Sequence, residues 1–464
     1  MELPLAFVER TRNFLKEEYQ AFEKALREDP PISIRLNASK TNILLSDMEP
    51  VPWCKGGYYL QERPAFTFDP RFHAGAYYVQ EASSMFLDQV IRQYVTQPVR
   101  YLDLCAAPGG KTTLALSTLP EGSLVVCNEI IRSRANILAE NIIKWGNPYC
   151  IVTNNDSMAF KSLKHYFDVI LTDAPCSGEG MFRKDQEAIR EWSVSNIELC
   201  SQRQQEILNN IWDALRPGGL LIYSTCTYNT DENETIADYL QNKLGAIPLP
   251  VQINPEWNIH AEITGSIPCY RFMPHVTKGE GLFMTVFRKP TSEEFTDREE
   301  FYSRIRTKKN KIEKKRPLPE NLKSWIQNNE NFSFSQNENS IYAVPKEYAE
   351  DLALFSLQMN VIHSGIPLAH LKGKDYIPDH ALALSTFLNR EIFPEEELTL
   401  ETALSYLRRE SLQLQNSERG YYLVTFKGMP LGWVKNLGNR ANNLYPQEWR
   451  IRSGYTPDNL ILSF

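Results

Sequence analysis

The sequence predicts an α/β fold: a mostly parallel, doubly wound sheet with helices on both faces, a small α/β unit before it and a small β unit after it. Three observations predict this. Short apolar runs alternate with helical stretches between about residues 91 and 290. The first of those runs, VRYLDLCAAPGGK (Val99–Lys111), ends in a proline–glycine turn and leads into a helix start at Thr112. Acidic residues then stand at successive strand ends, as they do where a sheet opens onto a ligand crevice.

Residues 1–90 form the first unit. Leu5 to Leu26 has the spacing of one amphipathic helix, and Ile32–Asn37 (ISIRLN) reads as a strand carrying Arg35. An aromatic-rich stretch follows, with Trp53, Tyr58, Tyr59, Phe66, Phe68, Phe72, Tyr77 and Tyr78 interleaved with Lys55, Arg63, Arg71 and His73. Aromatics beside cations can stack on RNA bases and hold phosphates, but the same residues also suit the core of a small domain.

Residues 91–290 carry the sheet. Its strands are expected at Val99–Cys105, Ser123–Glu129, Tyr149–Asn154, Asp168–Asp173 and Leu220–Thr225, with helices at Ile131–Trp145 and Ser195–Leu215. Leu282–Arg288 (LFMTVFR) is a late strand that could close the sheet antiparallel.

Residues 291–390 form a basic linker and an intermediate subdomain. FYSRIRTKKNKIEKKR (Phe301–Arg316) holds eight Lys/Arg and one acid, either a solvated linker or a patch for an RNA backbone. Asn328–Asn339 reads as a polar loop, Ile341–Ala383 as mixed strand and loop, and Glu391–Arg409 as a helix. In residues 391–464, the runs YYLVTF and PLGWVKN flank a Lys-Gly turn and read as a hairpin. Lys427, Lys435, Arg440, Arg450 and Arg452 make this tail locally basic, as in a small RNA-gripping barrel.

Composition narrows the function classes. The chain has 464 residues, 42% hydrophobic and 11% aromatic, enough for several cores. No apolar run reaches membrane-spanning length, and the acidic, amphipathic start does not resemble a secretory signal, so a cytoplasmic protein is expected. Eight cysteines without a CxxC pair or a His/Cys cluster argue against zinc and against a disulfide framework. The net charge of −7 does not advertise nucleic-acid binding, but local patches set phosphate affinity.

The glycine turn of Pro108, Gly109 and Gly110 lets a nucleotide-like ligand approach the backbone, with helix N–H groups facing its polar end. Asp103 sits late in the first strand. Glu129 ends the second, about 20 residues beyond the turn, where a carboxylate can accept from ribose hydroxyls. Asp156 follows the third and Asp173 ends the fourth. Each alone suits a cap or turn; together they line one sheet edge.

Two cysteines also lie just past strand ends. Cys176 is in TDAPCSGEG (Thr172–Gly180) and Cys226 in YSTCTYNTDENE (Tyr223–Glu234), loops that open into the crevice. Cys127 and Cys150, inside strands, read instead as buried small hydrophobes. A nucleoside-like cofactor beside two crevice thiols suits methylation of cytosine C5. A thiolate adding to C6 loads electron density onto C5, and the thiol is expelled once the C5 proton leaves. Asp173 near N3 and N4 would stabilise the ring, and Lys111 can favour a thiolate or bind a carboxylate.

CAAPGGK (Cys105–Lys111), TDAPCSGEG and STCT (Ser224–Thr227) together resemble the Nol/Nop/Sun-type RNA cytosine-5 methyltransferases, over roughly residues 30–290. The resemblance implies a Rossmann-like S-adenosyl-L-methionine methyltransferase sheet. It makes Cys226 the residue that attacks C6 and Cys176 the one that assists release. The cofactor would lie along Cys105, Ala106, Ala107, Pro108, Gly109, Gly110 and Lys111, with ribose and adenine held by Glu129 and Asp156, while Asp173 matches the acid of the fourth motif. The segment YYVQEASSM (Tyr77–Met85) is similar to the family's pre-domain segment. The MELPLAFVER opening and the C-terminal extension resemble the RsmF branch, which modifies bacterial 16S ribosomal RNA and ends in a PUA-like domain. That implies ribosomal RNA, free or within a 30S subunit, as partner, and no metal.

Three other classes fit less well. A dinucleotide oxidoreductase would carry GxGxxG where this chain has AAPGGK. A cysteine hydrolase needs a histidine base, and none of the seven histidines lies in either cysteine loop. A catalytically silent RNA-binding protein would have no use for the intact cysteine pair. Within the same chemistry, tRNA stands as the alternative substrate.

Overall fold

The computed structural model describes residues 2–41, 45, 47–260, 267–291, 298–309, 318–337, 339–415 and 417–457, without the side chains of 304–309, 320 and 337. Of the basic stretch Phe301–Arg316, residues 301–309 are the end of a helix (Arg298–Lys309) and residues 310–316 lie outside the described residues.

The N-terminal helix is two helices, α1 (Leu5–Leu15) and α2 (Tyr19–Arg27). The expected single helix is interrupted at Lys16, whose φ of 51° is left-handed and breaks the ladder. Strands β1 (Ile32–Leu36), β2 (Gly57–Leu60) and β3 (Tyr77–Val79) form a small antiparallel sheet with β1 in the middle. Trp53, Tyr59, Phe66 and Tyr77 are buried, and Tyr58, Phe68, Phe72 and Tyr78 are half-buried, so these aromatics are mainly core. Arg71 is buried in an ion pair with Asp69 at 3.0 Å.

Helix α3 (Leu87–Tyr94) leads into the large sheet. In chain order its main elements are β4 (Arg100–Asp103), α4 (Gly110–Thr118), β5 (Leu124–Asn128), α5 (Arg132–Trp145), β6 (Cys150–Thr153), β7 (Phe167–Asp173), α6 (Val194–Trp212), β8 (Leu215–Thr225), α7 (Glu234–Asn242), β9 (Cys269–Phe272) and β10 (Leu282–Arg288). Strands β5 (LVVCN) and β6 (CIVT) are buried throughout, and β4 and β7 are buried except at one end, as a helix-covered parallel sheet requires. From β4 the chain builds outward through β5 and β6, then returns to place β7 and β8 on the other side, all parallel. The switch point therefore lies beside β4. The late strand β10 pairs antiparallel with β8, and β9 pairs antiparallel with β10.

Beyond the sheet come β11 (Phe332–Asn337), β12 (Ser340–Pro345), α8 (Ala349–Gln358), β13 (Val361–Ser364), β14 (Ile366–Lys372) and β15 (Asp375–Pro378). Half of the polar stretch expected as a loop is β11, where phenylalanine and serine alternate with the period of a half-buried strand. Strand β13 leaves its sequence neighbours and pairs antiparallel with β6, extending the large sheet. Asp351 of α8 fixes this return, accepting from Arg100 Nε at 2.7 Å and Tyr302 Oη at 2.8 Å.

The C-terminal part contains β16 (Glu395–Glu397), α9 (Leu400–Leu407), β17 (Gly420–Phe426), β18 (Met429–Asn436) and β19 (Ala441–Asn443). The expected helix over Glu391–Arg409 is confined to α9, because Pro394 ends any helix begun before it and residues 395–397 pair in parallel with β17. The expected hairpin is present: Lys427 and Gly428 have φ of 50° and 73°, as a two-residue primed turn demands. Among the described residues no helix is long and apolar enough to cross a membrane.

Candidate active site

A cavity of about 280 Å³ opens at the carboxyl edge of the sheet, beside the switch point. Its floor is the turn after β4, with Asp103, Cys105, Ala106, Ala107, Pro108, Gly110 and Lys111. Asp173 at the end of β7 and Cys226 just past β8 form one wall, and Tyr78 and Gln80 reach over it from the N-terminal unit. The turn needs glycine at 109, where φ is 113° at the N-cap of α4. Arg35, buried in β1, holds the two units together beneath it. Its guanidinium donates to Gln80 at 2.9 Å and Thr113 Oγ1 at 2.7 Å, and stacks over Trp145.

Lys111 Nζ meets Asp173 Oδ2 at 2.8 Å, and Ser224 Oγ donates to Asp173 Oδ1 at 2.7 Å. Burial alone would pull the Lys111 ammonium down, but Asp173 and Asp103 outweigh it and the net shift is upward. The lysine is thus a fixed cation at the cavity wall.

The two cysteines meet. Cys176 Sγ lies 3.4 Å from Cys226 Sγ, and both residues are half-buried. Cys226 lines the cavity; Cys176 stands behind it. The contact with the Cys226 thiol, together with burial, pushes the Cys176 thiol well up. Gly180, in the Cys176 loop, donates its N–H to the Cys226 carbonyl at 2.8 Å, and a Cβ there would come within 2.5 Å of that oxygen. Cys127 and Cys150 are buried within their strands, as expected.

The remaining expected residues are engaged differently. Glu129 directly follows β5, and its side chain is 3% exposed, accepts from the Ile131 N–H at 2.9 Å and pairs with Arg134 at 3.3 Å. Asp156 is exposed and caps the turn that follows β6, accepting from the Met158 N–H at 2.8 Å. Neither belongs to the cavity wall, nor does Gly109. Sequence reasoning overlooked Glu81, Met181, Lys184 and Glu280, which do line it. Glu81 lies just past β3, Met181 and Lys184 in the loop that carries Cys176, and Glu280 between Gly279 and Gly281 ahead of β10. Glu18, His260 and His275 gather outside the cavity, with His275 Nε2 2.8 Å from the Glu18 carboxylate.

Asp103 is buried, accepts from Thr112 Oγ1 at 2.6 Å through one oxygen, and has no partner for the other. Burial holds its carboxyl up at about 7. The folded protein thus binds this proton more tightly than the unfolded chain, where the pKa is near 3.9. The stability linked to it is complete below about pH 4 and is lost as pH rises through about 7, a loss of at most about 4 kcal/mol. Asp103→Asn is therefore expected to raise the melting temperature of the ligand-free protein at pH 8, with the gain narrowing towards pH 5. Equal gains at both pH values in thermal melts would contradict this.

Two curated relatives match nearly end to end. The ribosomal RNA small subunit methyltransferase F of Enterobacter sp. (strain 638) is 30% identical over 461 residues, covering 94% of this chain and 93% of that protein. Its namesake in Klebsiella pneumoniae (strain 342) is 30% identical over 448 residues, covering 91% and 90%. A family model described as 16S rRNA methyltransferase RsmB/F matches residues 95–288.

The chain belongs to the RsmB/F methyltransferase family.

Two further models mark the RsmF branch: its N-terminal domain over residues 3–82 and its PUA domain over residues 393–451. The expected architecture is thus present, a Rossmann-like methyltransferase sheet with a small N-terminal domain and a C-terminal PUA domain. Among solved structures, a methyltransferase homolog protein from Pyrococcus horikoshii has a TM-score of 0.51 at 25% identity, covering 61% of this chain and 94% of that one. NSun6 from Pyrococcus horikoshii, solved with SFG, has a TM-score of 0.53 at 20% identity, covering 62% and 99%, and speaks for the fold alone. In RsmB/F terms, the cavity is bounded by residues of both the N-terminal and the methyltransferase matches.

Proposed function

We propose that this protein transfers a methyl group from S-adenosyl-L-methionine to C5 of a cytidine in small-subunit ribosomal RNA. The observation that carries this reading is the pair of sulfurs 3.4 Å apart, one in the cavity wall and one behind it, beside the Lys111–Asp173 ion pair.

The residues present fit the cofactor. The glycine turn at Gly109 and Gly110 and the start of α4 offer backbone to a polar ligand. The unpartnered oxygen of Asp103 is an acceptor awaiting a donor. Cys105, Ala106, Ala107, Pro108 and Lys111 complete that side, and Glu129 and Asp156, one strand end further along the edge each, serve its ribose and adenine. When bound, the cofactor supplies a methyl group made electrophilic by its sulfonium.

The chain's own residues do the rest. The Cys226 thiolate adds to C6 of the cytosine: an S–C6 bond forms and the C5–C6 π pair moves to C5. Asp173, anchored by Lys111 and Ser224, holds the N3/N4 edge and stabilises the charge that the ring gains. Once C5 carries its methyl group, the C5 proton leaves, its electron pair restores the C5–C6 double bond, and the S–C6 bond breaks to return the thiolate. The C5 proton passes to solvent water, and the Cys176 thiol, held protonated 3.4 Å away, donates its hydrogen bond to the departing Cys226 sulfur and does not compete as a nucleophile. The N-terminal and PUA domains grip the RNA on either side.

Incubation with 16S ribosomal RNA and labelled cofactor, followed by digestion to nucleosides, is expected to give 5-methylcytidine. Label in N4-methylcytidine or in a ribose methyl group would reject the C5 assignment.

A further inference from the structure

Two buried carboxylates near the cysteines take no part in the chemistry above. Glu179 lies three residues after Cys176 and is 2% exposed; Glu232 lies six residues after Cys226 and is 0% exposed. Each reaches out of its own loop into the other. Glu179 Oε2 accepts from the backbone N–H groups of Tyr228 at 2.7 Å and Asn229 at 2.9 Å, directly after Cys226 and Thr227. Its Oε1 accepts from Trp192 Nε1 at 3.0 Å. Glu232 Oε2 accepts from the backbone N–H of Ser177, next to Cys176, at 2.9 Å and from Gln204 Nε2 at 3.0 Å. Its Oε1 accepts from Ser177 Oγ and from Asn229 Nδ2. Ser177 Oγ and Thr227 Oγ1, one from each loop, lie 3.0 Å apart within the same network.

We infer that Glu179 and Glu232 are reciprocal positioning residues: the acid of the Cys176 loop fixes the Cys226 backbone, and the acid of the Cys226 loop fixes the Cys176 backbone. This rests on the covalent reading above and divides its two sulfur steps between two distinct carboxylates. An unpartnered buried carboxylate is costly, so each persists only because both of its oxygens meet donors. Among the donors are the backbone N–H groups beside the sulfurs, so the acids fix where the thiols stand; the Glu232 charge also adds to the upward push on the Cys176 thiol. In this geometry every partner of either carboxylate is a donor. An amide nitrogen at either position would face donors only, so glutamine keeps the volume and breaks the tie.

The two replacements are expected to differ. Glu179→Gln should slow formation of the protein–RNA adduct at least tenfold in single-turnover reactions and leave the decay of whatever adduct forms unchanged. Glu232→Gln should form the adduct at near the wild-type rate and release it at least tenfold more slowly. Cofactor affinity should stay unchanged in both. Equal slowing of formation and release in both variants, or no change in either rate, would overturn the inference, since a general loss of structure has no reason to separate the steps. If either glutamine variant fails to fold, Ser177→Ala and Trp192→Phe, which each remove one donor, should show the same separation with smaller changes, and uniform effects there overturn it equally. Cys176→Ala is run alongside. If methyl transfer proceeds and no adduct is detected in any variant, wild type included, the covalent reading itself has failed; if Cys176→Ala turns over normally without trapping RNA, the release role of Cys176, and Glu232's part in it, is wrong; if it traps RNA and Glu232→Gln does not, only the positioning role is wrong.

Discussion

Cys226→Ala is expected to abolish methyl transfer, lowering the rate by a factor on the order of 10⁴ or more, and to leave no protein–RNA adduct on a denaturing gel. Cys226 presents its sulfur from the cavity wall; Cys105 also lines the cavity, where burial pushes its thiol well up, and Cys176 stands behind. The change removes one sulfur from a half-buried position, so its cost in stability is expected near 1 kcal/mol. Calorimetry should find cofactor binding retained, because the turn after β4 is untouched. Residual turnover within tenfold of wild type would exclude Cys226 as the nucleophile.

Cys176→Ala should do the opposite to the adduct. Attack on C6 still occurs, but release is starved of its hydrogen-bond donor, so a covalent complex resistant to denaturant should build up to a large fraction of the enzyme. A variant that turned over normally and trapped no RNA would show that Cys176 is merely packed against Cys226. The two single replacements thus give opposite gel patterns from sulfurs 3.4 Å apart, which no shared structural defect would produce.

The centre of the molecule was legible because its chemistry and its fold use the same residues. Apolar runs marked β4 to β8, and the glycine turn and the two cysteine loops each followed one of them. What the sequence hid was long-range. Nothing in VIHS (Val361–Ser364) announces pairing with Cys150–Thr153, two hundred residues earlier in the chain. Phe332–Asn337 did carry an alternating pattern, but its asparagine-rich surroundings masked it. Pro394 was a readable stop inside an otherwise helical composition. At the site, Asp156 also caps the following turn, a contact that reading it as a strand-end acid did not include. Glu179 and Glu232 stood in GEG and DENE, beside the cysteines, with no sign that each belonged structurally to the other's loop.

The pairing of Val361–Ser364 with β6 also bears on how the chain is made. While it is being synthesised, the outer rim of the half-built methyltransferase presents bare amide and carbonyl groups, a template for unwanted partners. Those groups stay open until more than three-quarters of the polypeptide has left the ribosome, when the late segment arrives to seal them. Trimming the protein back to its catalytic match would recreate that open rim permanently, so a minimal enzyme must retain the segment through Ser364 to remain monodisperse.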